Sequence, residues 1–352
     1  MATVAMKGKV CVTGAGGFIG SWVVKLLLSR DYIVHGTVRE PGDAKYDHLR
    51  KLEKGTENLK LFKADLLDYE SLHSAIAGCD GVFHVASPVP HTTSSNPETE
   101  VIEPAVKGTR NVLEACVDAK VKRVVVVSSV AAVFFNPSWP QGRVIDESCW
   151  SDKEYCKATK VILRFYMPMY IHRYSSKLHQ NWYFLAKTEA ESEAWEFARR
   201  RGLDVVTICP TLVIGPILQP TVNASSMVLL RILKVSRYGE RVFAEGLEML
   251  ENRPRMLVDV RDVAEAIVVL YEKGEAEGRY ICTSHTMETR ELVDALKKKY
   301  PDYSYPKTLS EGNEKAVSLS SEKLQGLGWK CRALEETLAD AVKSFKDAGM
   351  LE

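Results

Sequence analysis

Thr13-Gly14-Ala15-Gly16-Gly17-Phe18-Ile19-Gly20 follows the β-prone run Lys9 to Thr13 and precedes Phe18 to Ser29. In that second stretch the apolar residues Phe18, Ile19, Trp22, Val23, Leu26 and Leu27 fall at helical spacing. A strand, a glycine turn and a helix in this order constrain the chain strongly. Gly14 permits the tight turn, Gly17 lets a pyrophosphate approach the backbone, and Gly20 lets helix and strand pack closely. The open N–H groups and the dipole of the helix N-terminus then face the phosphates. Gly14, Gly16, Gly17, Phe18, Ile19 and Gly20 are therefore candidate dinucleotide contacts.

The rhythm continues. Strands are expected at 33–38, 59–62, 81–85, 123–128 and 204–208, and helices at 43–52, 69–77, 96–119 and 182–200. Asn96 is the expected cap of the third of these helices, with Pro97 at its first position. Four consecutive valines, Val124 to Val127, suit a strand buried on both faces of a parallel sheet. Repeated strand–helix units predict an α/β fold, a doubly wound parallel-sheet (Rossmann) domain over residues 1–208. Residues 209–352 read as a smaller, mixed substrate-binding lobe that returns elements to the sheet.

The second strand ends Val38-Arg39, with no acid before Glu40. A carboxylate at that tip would repel a 2′-phosphate, and a guanidinium grips one. Arg39, with Lys45 as a second cation, points to NADPH/NADP+ rather than NAD. Ser129 stands just beyond a strand end, where ligands of open α/β sheets sit. Tyr183 and Lys187, four apart, share one helix face. A lysine beside a phenol favours the phenolate. Tyr183 can then deliver a proton to a carbonyl oxygen that Ser129 also bonds.

Basic and acidic residues number 47 and 46, which argues against a whole-surface nucleic-acid footprint. No apolar run reaches the length of a membrane span, and no secretory or peroxisomal signal is visible, so a cytoplasmic protein is expected. The eight cysteines form no CxxC pair, and no metal site is expected.

With these motifs assembled, the chain resembles the extended short-chain dehydrogenase/reductases, in the branch of plant cinnamoyl-CoA reductases and dihydroflavonol reductases. The resemblance rests on Val12 to Gly20, Ala64-Asp65-Leu66-Leu67-Asp68, Val82-Phe83-His84-Val85-Ala86-Ser87-Pro88, Asn181-Trp182-Tyr183 with Lys187, and Gln219 to Ser225. It implies that Asp65 and Leu66 sit beside the adenine and that Val85, Ala86 and Ser87 line the path to the nicotinamide ribose. It further implies that Lys187 bonds that ribose, that Tyr183 also contacts the cofactor, that Pro210 and Val213 lie along the nicotinamide, and that Ser225 reaches the pyrophosphate. For Val85, Ala86, Pro210 and Val213, simple packing is the alternative. It implies a small-molecule carbonyl substrate and a monomer or weak dimer. Similar proteins carry cysteines at Cys149 and Cys156, read either as a redox pair or as two reduced thiols.

Two departures stand out. Lignin-pathway cinnamoyl-CoA reductases typically read Asn-Trp-Tyr-Cys-Tyr-Gly-Lys, whereas Phe184, Leu185 and Ala186 follow Tyr183 here. On that basis an aldehyde or ketone fits the motif as well as a thioester does. Secondly, Val161 to Gln180 looks inserted directly before the catalytic segment, and a stretch near 235–245 does too. Beginning with Val and ending with Gln, the first is readable as a retained intron, which sequencing the transcript across it decides. The expected function is an NADPH-dependent reductase of a phenylpropanoid-type aldehyde, ketone or cinnamoyl-CoA-like thioester. The rivals are a nucleotide-sugar epimerase or dehydratase, and an NADPH-binding protein silenced by the insert.

Overall fold

Alternate valines of the central strand face two different cores, and this organises the molecule. In a computed structural model of the chain, the described residues are 6–87, 96, 98–140, 142–158, 182–233, 249–306, 308–311 and 317–352. The segments 161–180 and 235–245 lie outside them. Seven strands form one sheet: β1 Gly8–Thr13, β2 Tyr32–Val38, β3 Leu59–Lys63, β4 Gly81–His84, β5 Arg123–Val127, β6 Val205–Pro210 and β7 Gly278–Cys282. Their order is β3-β2-β1-β4-β5-β6-β7, and every neighbouring pair is parallel.

Val125 and Val127 of β5 pack with Val10, Val12 and Val34, under α1 (Phe18–Ser29). Val124 and Val126 pack on the other side. Their partners are Leu72 and Ile76 of α2 (Tyr69–Ile76), Leu113 and Cys116 of α3 (Glu103–Asp118), and Phe197 of α4 (Trp182–Arg201). Burial on both faces is the reason the run is continuously apolar rather than alternating.

Chain order reverses between β1 and β4, so a crevice opens at their carboxyl ends. The register aligns Thr13 of β1 with His84 of β4, and His84 with Val126 of β5. Thr13, His84 and the residues after Val127 therefore share one edge. A second, three-stranded sheet begins at Leu212–Ile214, one residue after β6 ends. It pairs parallel with Pro254–Asp259, which pairs antiparallel with His285–Glu288. Between these last two strands the chain returns to the main sheet through β7. One apolar cluster runs from Val10 to Leu351 and takes in both sheets.

Two expected helices differ. The stretch from Asn96 opens as a π-turn, Glu98–Ile102, before α3 begins at Glu103. The Asn96 carbonyl accepts the Glu100 N–H at 3.0 Å. Pro104 cannot donate to the carbonyl four residues back, and the turn before it widens. The expected helix at 43–52 is a 3₁₀ turn, Ala44–Tyr46, capped by Asp43, followed by one α turn, Asp47–Arg50.

Candidate active site

The glycine loop is packed so tightly at Gly16 and Gly20 that side chains are excluded there. Gly14 adopts φ +67°. A Cβ on Gly20 would stand 2.2 Å from the Gly14 carbonyl oxygen, and one on Gly16 would stand 2.4 Å from the Tyr46 ring. The Ala15 N–H donates to the Thr37 carbonyl at 3.1 Å, and the Gly14 N–H to Thr37 Oγ1 at 3.2 Å. Gly17 caps α1 with no side-chain hydrogen bond, so the helix N-terminus is open toward the crevice. An uncapped helix end behind a tight glycine turn fits a dinucleotide pyrophosphate. Phe18 is buried in the core, so its share in such a site is its backbone.

At the tip of β2, Arg39 is exposed and makes no ion pair among the described residues. Glu40, the first acid after it, is paired with Lys63 at 2.9 Å. The register that sets Val38 opposite Lys63 brings this cation to the tip, and the sequence reading missed it. Lys45 does not join Arg39 as a free cation. Its ammonium pairs with Asp43 at 2.8 Å and lies 4.9 Å from the centre of the Tyr46 ring.

Asp65 and Leu66 follow β3 at the same edge. Asp65 accepts the Leu67 N–H at 2.9 Å, and the Leu66 carbonyl accepts from Asn111 Nδ2 at 2.9 Å. Val85, Ala86 and Ser87 leave β4, and a Cβ on Gly14 would come within 2.9 Å of Ala86 Cα. The glycine turn and this segment thus form adjoining walls. Pro210 ends β6 and is buried, and Val213 is buried in the second sheet. Ser225 opens α5 (Ala224–Leu233), and its hydroxyl accepts from Asn223 Nδ2 at 2.6 Å.

Ser129 follows β5 and caps the 3₁₀ turn Val130–Ala132, its hydroxyl accepting the Ala131 N–H at 3.2 Å. It also faces the Tyr183 phenol at the start of α4 and favours the phenolate. Lys187, one turn on, is buried and donates from Nζ to the Val127 carbonyl at 3.4 Å. The structure therefore brings Ser129, Tyr183 and Lys187 together at the carboxyl end of β5. The expected direction of the tyrosine shift is not what the environment produces. Burial pushes the Tyr183 phenol up, and Ser129 only partly opposes it. Desolvation lowers Lys187 to about 8, against the pull of Cys209 and Glu191.

Lys187 gives a pH prediction. Its pKa is lower folded than unfolded, so burying the cation destabilises the fold below pH 8. That penalty is relieved as pH rises through the window from about 8 to the ordinary lysine value of about 10.4. Lys187→Met removes it. The variant is expected to melt above the wild type at pH 7 and to lose this advantage by pH 10. Melting curves across that range check it, and a constant difference rejects it.

Phe184, Leu185 and Ala186 carry the departure from the familiar motif, and all three are buried. Phe184 packs against Phe135 at 4.9 Å and Phe134 at 5.7 Å, and Ala186 packs on Val101 and Ala105. They tune the core behind the site rather than its substrate surface, so they weigh neither for nor against a thioester. Cys149 and Cys156 are both free and buried, in different apolar clusters. Burial, with Asp152 and Glu189 nearby, pushes the Cys156 thiol up to about 12.

His84 was quoted in a motif without a role, and the structure supplies one. The Ala86 N–H donates to Thr13 Oγ1 at 3.1 Å, and Thr109 Oγ1 donates to the Ala105 carbonyl at 2.9 Å. The 3.4 Å contact between His84 Nε2 and Thr109 then needs the proton on Nε2, which leaves Nδ1 to accept from the Thr13 hydroxyl at 2.9 Å. Burial and the nearby Lys187 lower His84 to about 3, so it stays neutral. It bolts the residue before Gly14 to α3.

With this geometry in view, comparison with known proteins is informative. The sequence profile of the NAD dependent epimerase/dehydratase family matches residues 10–282. The chain belongs to this family. Among its members, cinnamoyl-CoA reductase 1 of Petunia hybrida is 45% identical over 345 residues, 97% of this chain and 93% of the relative. Among solved structures, vestitone reductase from alfalfa superposes with a TM-score of 0.78 at 31% identity, covering 98% of this chain and 100% of its own. Gre2 from Candida albicans, in complex with NADPH, superposes at 0.75 with 27% identity, covering 97% and 99%. The fold and the family expected from the motifs are thereby established.

Proposed function

We propose that this chain is an NADPH-dependent reductase that transfers hydride to the carbonyl of a phenylpropanoid-type aldehyde, ketone or cinnamoyl-CoA-like thioester. The observation that carries the reading is the approach of Ser129 to the Tyr183 phenol, with Lys187 one helical turn away, at the edge where the glycine loop opens. Relatives named as cinnamoyl-CoA and vestitone reductases support the substrate class. The cofactor supplies hydride when bound. Tyr183 holds the proton that the reduced oxygen must gain, and burial keeps the phenol protonated for that purpose. Ser129 is placed to bond the same oxygen and to stabilise charge that develops on it. The glycine loop and the open end of α1 would hold the pyrophosphate, with Arg39 at the 2′-phosphate. Residues 1–208 supply this machinery, and 209–352 the substrate side.

Among the described residues no helix is long and apolar enough to cross a membrane. We place the reductase in the cytoplasm, as a monomer or weak dimer acting on a free small molecule.

The test is NADPH consumption by the purified chain with coniferaldehyde, phenylacetaldehyde, feruloyl-CoA and dihydroquercetin. Turnover of at least one is expected, and its preference selects the substrate class. NADPH binding without turnover of any would return the silent-binder reading. Arg39→Ala tests the cofactor choice. Loss of a charge-assisted phosphate contact, about 1.5–3 kcal/mol, raises the NADPH dissociation constant ~10- to 100-fold and leaves NADH binding unchanged. Equal effects on both nucleotides would remove Arg39 from the phosphate site.

A further inference from the structure

Behind Ser129 lies a buried ion pair. Glu191 is on α4, one turn after Lys187, and Arg279 is on the edge strand β7; their side chains are 0% and 6% exposed. The guanidinium donates to both carboxylate oxygens, from Nε at 2.7 Å and from Nη2 at 3.1 Å. Glu191 also accepts from Ser128 Oγ at 2.7 Å and from Thr207 Oγ1 at 2.7 Å. Arg279 in turn donates to the carbonyls of Ala132 at 3.3 Å, Glu147 at 3.1 Å and Cys149 at 2.6 Å. Its Cζ lies 3.7 Å from the Trp150 ring centre.

The bonds bracket the candidate catalytic serine. Ser128 precedes Ser129, and Ala132 closes the turn that Ser129 caps. Val127, whose carbonyl receives Lys187, is the residue before Ser128. One carboxylate and one guanidinium thus fix β5, the turn after it, α4 and β7 relative to one another. A buried pair gives little stability for its own sake, since apolar replacements are often as good. The bidentate geometry fixes direction as well as distance.

We propose that Glu191 and Arg279 are positioning residues for the reduction, holding Ser129 and Lys187 in register with Tyr183. This rests on the reductase reading above. Arg279→Lys keeps the charge but gives up the fork and the carbonyl contacts. Glu191→Gln combined with Arg279→Met removes both charges together, so that no charge is left buried alone. Each variant is first checked by melting, so that loss of one leaves the other to decide.

Two readouts are taken. Hydrogen exchange over 128–135 needs no substrate and is expected to accelerate while α1 and β1 stay protected. For a carbonyl that the wild type reduces, kcat is expected to fall ~10- to 100-fold, as a displacement near 1 Å implies. KM and the NADPH dissociation constant are expected to stay within about three-fold. A folded variant with wild-type kcat, or with unchanged exchange over 128–135, overturns the proposal. If the wild type reduces no carbonyl, the reductase reading fails, and the exchange experiment still decides whether the pair holds the turn.

Discussion

Tyr183→Phe is expected to lower kcat by ~10²- to 10⁴-fold, the range that a positioned general acid contributes. The hydroxyl is the group on α4 that faces Ser129, and burial holds its proton in place. Removing one oxygen leaves the ring, its edge contact with Phe184 at 6.2 Å and the packing around it unchanged. NADPH affinity should therefore stay within about three-fold and the melting temperature within a few degrees. Steady-state kinetics on the preferred carbonyl, with a fluorescence titration of NADPH, separate the two. A variant that keeps even a third of wild-type kcat would take the proton-transfer role away from Tyr183. The pH profile adds a second check. Because burial raises the phenol, no loss of rate from its deprotonation should appear below its ordinary value of about 10.

The second large effect concerns cofactor binding. Gly20→Ala places a methyl 2.2 Å from the Gly14 oxygen and 3.1 Å from Ala15 Cα. Both neighbours are backbone, so no side chain can rotate away. Either α1 moves off the loop or the loop moves into the crevice. Overpacking of this kind costs about 1–3 kcal/mol, and the melting temperature should drop by several degrees. More telling is the loss of the loop geometry that faces the phosphates. NADPH affinity should weaken by roughly 100-fold, on the same reasoning that ties a displacement near 1 Å to ~100-fold in rate. Thermal shift with and without NADPH reads both quantities. Wild-type affinity in a folded Gly20→Ala protein would show that the loop does not carry the pyrophosphate.

The motifs around Gly14–Gly20 and Tyr183–Lys187 were legible because their chemistry lies within one turn or one helix. Glycine spacing reports a turn that only small residues make, and a spacing of four reports a shared helix face. Other signals were ambiguous for the same reason. Phe184, Leu185 and Ala186 differ from the familiar motif, but neighbouring residues on a helix point different ways. Sequence does not say which of them face the core. Lys45 looked free beside Arg39 because an ion pair two residues away, with Asp43, depends on the 3₁₀ turn that forms there.

By itself, the sequence determined the strand–glycine–helix unit, the parallel sheet with its doubly buried central strand, and the shared helix face of Tyr183 and Lys187. Each follows from periodicity or from short fixed spacings. Only the tertiary structure decided that Lys63 neutralises Glu40, that Thr13, His84 and Thr109 form one bolt, and that Glu191 meets Arg279, 88 residues away. It also decided the sign of the Tyr183 shift. Desolvation and long-range pairing depend on which surfaces the fold removes from water, and no local spacing encodes that.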